Sequence, residues 1–171
     1  MALPADDALL QDLSAGREEA FERLYDVFAA RLLRAARCIC RTREDAEDAL
    51  QDVFVGLVRA RAALGQVRNL QAYLFAAVHR AASRRAERRG DERPMDAAAL
   101  ERTAGAAEQP AEPSDRLNRA LASLPAEQRT VIALKVDGGL TFEEIAEALN
   151  VSQNTAASRY RYALEKLRAS L

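Results

Sequence analysis

Tryptophan is absent from the chain, histidine occurs once, and aromatic residues make up only 5% of the sequence. With β-branched residues also sparse and Ala, Leu, Arg and Glu abundant, sheet architectures are disfavoured and an all-α chain is expected. The two cysteines, Cys38 and Cys40 in "AARCICRT", form neither a zinc quartet nor a C-x-x-C redox pair. They read as buried structural thiols of a reducing compartment. A Gly-rich phosphate loop is missing, and the single His leaves no Ser-His-Asp or Cys-His constellation. The expected action is therefore binding rather than catalysis, with no catalytic residue, metal or cofactor. The start, "MALPADDALLQDLSAG", has no basic segment followed by an apolar run, and no stretch approaches the ~20 apolar residues of a membrane helix. The expected location is cytoplasmic. A surplus of either charge is lacking too: 25 basic residues face 26 acidic ones, net −1. Any nucleic-acid binding must then rest on local clusters.

The organisation is read from composition. Between Gly90 and Ser114 the segment "GDERPMDAAALERTAGAAEQPAEPS" holds three of the five prolines, six acidic and two basic residues, and few large apolar side chains. That is a linker composition, extended or mobile, with room for a short helix over Asp96 to Arg102. The expectation is two small helical domains, residues 1–89 and 115–171, joined by a flexible acidic linker at 90–114. In the first, apolar residues recur at helical spacing in three runs: Phe21, Leu24, Phe28, Leu32; Ala46, Leu50, Val53, Leu57; and Leu70, Leu74, Ala77, Val78. The second opens with Leu117, Leu121 and Leu124 on one face, restarts at Pro125, and pauses at Gly138 and Gly139, where a left-handed cap is inexpensive.

The closing stretch, "TFEEIAEALNVSQNTAASRYRYALEKLR", is the most informative. Thr141 and Glu144 have the capping-box spacing, so a helix is expected over about Phe142 to Leu149. Asn150 tolerates the left-handed conformation of a tight turn, and Ser152 can cap the next helix. The result is a helix-turn-helix pattern, closed by small Ala146 at the crossing. On a wheel of ~100° per residue, Ala156, Tyr160, Ala163, Leu164 and Leu167 face inward. Asn154, Ser158, Arg161 and Tyr162 face outward, flanked by Thr155, Ala157 and Arg168. Asn and Arg can bond base edges, and Ser and Thr reach bases or phosphates. From 153 to 171 four residues are basic and one acidic, whereas Glu143, Glu144 and Glu147 load the preceding helix.

Two further stretches carry unusual surfaces. In "EDAEDALQDVFVGL", residues 44–57, Glu44, Glu47, Asp48, Gln51 and Asp52 face out with apolar Val55 among them. Five carboxylates without a base between 44 and 52 repel one another, so the face is either a solvated helix start favoured by the dipole or a docking surface. In "NLQAYLFAAVHRAASRRAERR", residues 69–89, Tyr73, Phe75, His79 and Arg80 offer planar surfaces, and five arginines against Glu87 give a local balance of +4. On the residues alone such a mixture reads as core packing followed by a cationic helix end favoured by the dipole.

Taken together, these phrases resemble the small two-domain bacterial sigma factors of the extracytoplasmic-function type across nearly the whole chain. The stretch from "LASLP" to "EKLR", opening with Leu124, Pro125 and Arg129, is similar to the family's promoter −35 reading domain. Residues 44–57 resemble its polymerase-binding signature, and 69–89 its −10 element. The resemblance implies contacts to the −35 element through Asn154, Thr155, Ala157, Ser158, Arg161, Tyr162 and Arg168. It implies contacts to melted −10 DNA through Tyr73, His79, Arg80, Arg84 and Arg85, and to polymerase through Asp48, Gln51, Asp52 and Val55. The sequence departs from the family pattern at Tyr73, where Trp is usual, Arg80, where Asn is usual, Arg84, where Asp is usual, and Ala157, often Lys or Arg. The implied partners are core RNA polymerase and promoter DNA, with an anti-sigma factor a further candidate and a monomer expected when free. A stand-alone helix-turn-helix regulator remains the alternative.

Overall fold

A computed structural model describes residues 6–40, 42–90 and 113–170. All regular structure among them is helical: α1 (Asp6–Ser14), α2 (Glu18–Arg37), α3 (Arg43–Arg59), the single turn α4 (Arg61–Leu64), α5 (Leu70–Gly90), α6 (Pro113–Ala122), α7 (Ala126–Val136), α8 (Phe142–Leu149) and α9 (Gln153–Ser170). Residues 91–112, which hold most of the acidic strap and the short helix read over Asp96 to Arg102, lie outside the described residues.

The helix boundaries follow from local chemistry. Glu18 and Glu19 occupy the first turn of α2 and Arg34 and Arg37 its last, each complementing the helix dipole. Thr42 caps α3, its hydroxyl accepting from the Asp45 amide at 3.1 Å and donating to the Asp45 carboxylate at 2.7 Å. The Asn69 side chain caps α5 by accepting from the Ala72 amide at 2.9 Å. Leu24, Phe28 and Leu32 of α2, Ala46, Leu50, Val53 and Leu57 of α3, and Leu70, Leu74, Phe75 and Val78 of α5 form the buried centre of the first lobe. These are the three runs read from the sequence, with Phe21 and Ala77 half-buried at the margin.

The apolar cluster does not stop at the first lobe. Val131, Ala133 and Leu134 of α7, Leu140, Ile145 and Ala146, and Ala156 of α9 belong to the same contiguous core, while Ala120, Leu124, Ile132, Ala163 and Leu167 form a smaller one. Leu117, expected to face inward, is exposed, because the smaller core reaches α6 only from Ala120 onward. The two lobes therefore pack on each other, and polar bonds line the seam. Arg31 Nε donates to the Asp137 carbonyl at 2.8 Å and Arg34 Nε to the Asp137 carboxylate at 2.7 Å. Gln71 donates to the Gly138 carbonyl, and Asn69 Nδ2 to Glu144 Oε1 at 2.5 Å. The α7–α8 turn that enters this seam needs both glycines. A Cβ on Gly138 would collide with the Leu134 carbonyl, and Gly139 has φ +62 with Gln71 Nε2 close to where its Cβ would stand.

Candidate nucleic-acid interface and docking face

The helix pair α8–α9 is built as its sequence signals indicate. Thr141 and Glu144 form a complete capping box, with the Thr141 amide donating to Glu144 Oε2 at 2.7 Å and the Glu144 amide to Thr141 Oγ1 at 3.2 Å. Asn150 ends α8 in the left-handed conformation, φ 52, and the Thr155 amide donates to Ser152 Oγ at 3.0 Å at the start of α9. Ala146 and Ala156 are buried at the crossing. Phe142 meets Tyr160 edge-on with centroids 5.6 Å apart, and Arg159 pairs with Glu127 of α7 at 2.7 Å. The inner side of α9 is thereby fixed and its other side left to solvent.

That outer side is a shallow concavity lined by Asn154, Thr155, Ala157, Ser158 and Arg161. Asn154 is exposed, and the Arg161 guanidinium lies 5.2 Å from the centroid of the Tyr162 ring. Ser158 and Thr155 are already engaged, Ser158 Oγ donating to the Thr155 carbonyl at 3.0 Å and Thr155 Oγ1 hydrogen-bonded to Ser152 Oγ at 2.8 Å. Asn154 and Arg161 are thus the long polar groups that can reach a base edge. Arg168 is exposed on the same side, but exposed Glu165 stands between it and Arg161, an acidic interruption not weighed in the sequence reading.

The residues read as −10 contacts separate into two groups. Tyr73 is half-buried against the core, and Arg80 and Arg84 are exposed without an ion pair among the described residues. At ~100° per residue these three share one line along α5, continued by exposed Arg88. His79 and Arg85 lie off it. His79 Nδ1 is buried without a hydrogen-bond partner, and burial, reinforced by Arg80, lowers the imidazole pKa and keeps the ring neutral. Arg85 turns to α3.

On α3, Asp48, Gln51, Asp52 and Val55 are all exposed, as the sequence wheel indicates. The expected mutual repulsion is relieved locally. Glu47 pairs with Arg43 at 2.6 Å, Asp45 is buried at the cap, and Asp48 and Asp52 pair with Arg85 at 3.1 and 2.6 Å. Beside them runs an apolar groove between α2 and α3, lined by Phe21, Tyr25, Phe54, Val55 and Val58, with the Tyr25 and Phe54 rings 5.1 Å apart. The sequence reading missed Tyr25, Phe54 and Val58. The signal was available in Phe54, Val55 and Val58, three apolar residues on or beside the polar side of α3.

Comparisons with known proteins show the family and the fold. The family model described as Sigma-70 region 2 matches residues 24–92, and that described as Sigma-70, region 4 matches residues 120–169. The chain is 32% identical to the ECF RNA polymerase sigma factor SigM of Mycobacterium tuberculosis, over 95% of this chain and 83% of the relative. It is 28% identical to the ECF RNA polymerase sigma factor SigK of Mycobacterium ulcerans, over 96% and 92%. Among solved structures it is similar to CnrH in complex with the cytosolic domain of CnrY, with TM-score 0.68 and 27% identity over 96% of each chain. The fold is shared with the sigma factor RpoE of Bartonella quintana, solved with the anti-sigma factor NepR, with TM-score 0.65 and 23% identity over 88% of this chain and 95% of that one. Two sigma models in this order leave no place for a stand-alone regulator: the chain belongs to the extracytoplasmic-function sigma factors of the sigma-70 family, transcription initiation factors that direct RNA polymerase to promoters.

Proposed function

We propose that residues 1–89 dock core polymerase and engage melted −10 DNA, that 90–114 serve as the tether, and that 115–171 read the −35 element. In this reading α9 enters the major groove with Asn154 and Arg161 bonding base edges, while Ser158, Tyr162 and Arg168 border the backbone. The line Tyr73, Arg80, Arg84 offers one ring for an unstacked base and cations for its phosphates. Asp48, Gln51, Asp52 and Val55, together with Tyr25, Phe54 and Val58, form a docking face for a polymerase element that is basic on one side and apolar on the other. An anti-sigma protein, such as the NepR solved with the RpoE structural neighbour, is a further partner of this chain. The action is binding, and it fits the net charge of −1, which limits capture of the free protein by DNA at random.

The observation that carries the reading is that α9 presents Asn154 and Arg161 on the solvent side of a capped helix pair in a protein too neutral to hold DNA by charge alone. Run-off transcription with purified core polymerase on genomic promoter fragments tests it. Initiation at specific start sites is expected only when the protein is added, and Asn154→Ala and Arg161→Ala should each weaken it. Specific DNA binding without polymerase, or polymerase binding without initiation, counts against it.

A further inference from the structure

The end of α5 is a run of arginines, and charge alone gives all of them to DNA. Geometry sets one apart. Arg80, Arg84 and Arg88 follow Tyr73 on the outward line of the helix, whereas Arg85 lies about 100° round from Arg84, in line with buried Leu74, Val78 and Ala81. Its guanidinium spans two carboxylates one helical turn apart, Nη1 to Asp48 Oδ2 at 3.1 Å and Nη2 to Asp52 Oδ2 at 2.6 Å. Arg85 is 26% exposed, against 56% for either aspartate, so the cation stands behind the carboxylates as seen from solvent.

The surroundings reinforce that placement. Asp45, Asp48 and Asp52 fall along the edge of α3 that meets α5, and the hydrogen bond to Asp52, then the fields of Asp52, Asp48 and Asp45, raise the Arg85 pKa. A DNA phosphate would have to strip two carboxylates from a guanidinium whose fork already fits them. The same fork turns Oδ2 of each aspartate inward and leaves Oδ1 for a visitor. It also removes the repulsion that like charges four residues apart impose.

The geometry points to Arg85 as a positioning residue of the polymerase-docking face: it holds Asp48 and Asp52 in register for a basic partner, braces α3 against α5, and does not contact DNA. This rests on the reading of α3 as that docking face. Arg85 then joins the surface that grips the enzyme to the helix that meets melted DNA, so that docking sets the aim of the Tyr73–Arg80–Arg84 line.

The test compares Arg85→Ala and Arg85→Gln with Arg84→Ala, after circular dichroism has established wild-type helicity; the Gln variant serves if the Ala variant misfolds. Core-polymerase affinity is read by anisotropy of labelled factor, and the salt dependence of promoter binding by the assembled holoenzyme. Both Arg85 variants are expected to weaken core binding about tenfold and to leave the salt slope unchanged, whereas Arg84→Ala lowers the slope by about one. In an Asp48→Asn, Asp52→Asn background, Arg85→Ala should cost nothing further, which a general loss of stability would not reproduce. A salt slope that falls with Arg85, wild-type core affinity in both Arg85 variants, or a full additional loss in the Asn background overturns the assignment. A wild-type protein that binds no core polymerase overturns the docking reading along with it.

Discussion

Arg129 donates to three backbone carbonyls at once: Nη1 to Ala122 at 3.0 Å and Leu124 at 2.9 Å, and Nε to Cys38 at 3.0 Å. The first two acceptors close the C-terminal end of α6, which otherwise leaves carbonyls without partners, and the third belongs to the cap of α2 in the other lobe. Burial lowers the pKa of this guanidinium, which nonetheless remains charged. The Leu-Pro-x-x-x-Arg phrase reads in the sequence only as a family signature, because nothing in the letters shows that the Arg serves backbone atoms. Arg129→Ala should cost about 2–3 kcal/mol in urea denaturation, and Arg129→Lys should recover only part, since an ammonium cannot span the set. An unchanged midpoint would mean that water satisfies these carbonyls as well. Cys40 supplies a second prediction at this scale. Burial, then the field of Asp45, push its thiol up to about 11, partly offset by Arg85. In the unfolded chain the thiol ionises at about 8.5. Its folded value is the higher one, so its contribution is complete below about pH 8.5 and is lost as the pH climbs towards 11. The denaturation midpoint of wild-type protein should therefore fall more steeply across that window than that of Cys40→Ala.

Helix α9 shows what a single element disclosed in advance. Its start, its partner helix and its inward face were legible because caps and turns are local: Thr141 with Glu144, left-handed Asn150 and Ser152 each act within four residues. The same wheel gives only the side on which a residue lies, not what comes to meet it. That is why the letters alone group His79 and Arg85 with Arg80 and Arg84, although His79 Nδ1 is buried and Arg85 bridges to α3. Glu165 follows from the wheel as well. Standing between Arg161 and Arg168 on the exposed side of α9, it limits the groove-facing surface to the first turns of the helix. Removing its charge lowers the repulsion from nearby phosphates by about 0.5 kcal/mol at physiological salt. Glu165→Gln should therefore tighten promoter binding by the holoenzyme about twofold, with no change in the bases preferred. Asn154→Ala should lose about 1–3 kcal/mol and relax the preference at one position. Filter binding on a panel of single-base promoter variants separates the two effects; uniform weakening across the panel for Asn154→Ala would assign that residue to the backbone instead.

At the scale of the whole molecule, the seam between the lobes was the least legible feature, because three of its acceptors are the carbonyls of Cys38, Asp137 and Gly138, which no side-chain pattern marks. On the proposed reading, in which one lobe meets the −10 element and the other the −35 element, it also has to part. A folded chain of this length has a radius of gyration of about 16 Å. The centres of the −10 and −35 elements lie about 85 Å apart along straight duplex at 3.4 Å per step. Residues 91–112 can reach at most about 75 Å when fully extended, enough, with the lobes themselves, to cover that distance once the seam is open. On that reading closed and open forms are two states of one chain, and polymerase would favour the second only to the extent that it binds it better. Weakening the seam should then raise apparent affinity for core polymerase by enlarging the competent fraction. Asp137→Ala removes the carboxylate that Arg34 grips, and Gln71→Ala removes the donor to Gly138. In the double variant, small-angle scattering should give a larger radius of gyration for the free protein, and core affinity should rise severalfold while −35 binding by the assembled holoenzyme stays as it was. If the radius grows without any gain in core affinity, the closed form is no obstacle to docking, and the lobes must separate only after the enzyme has bound.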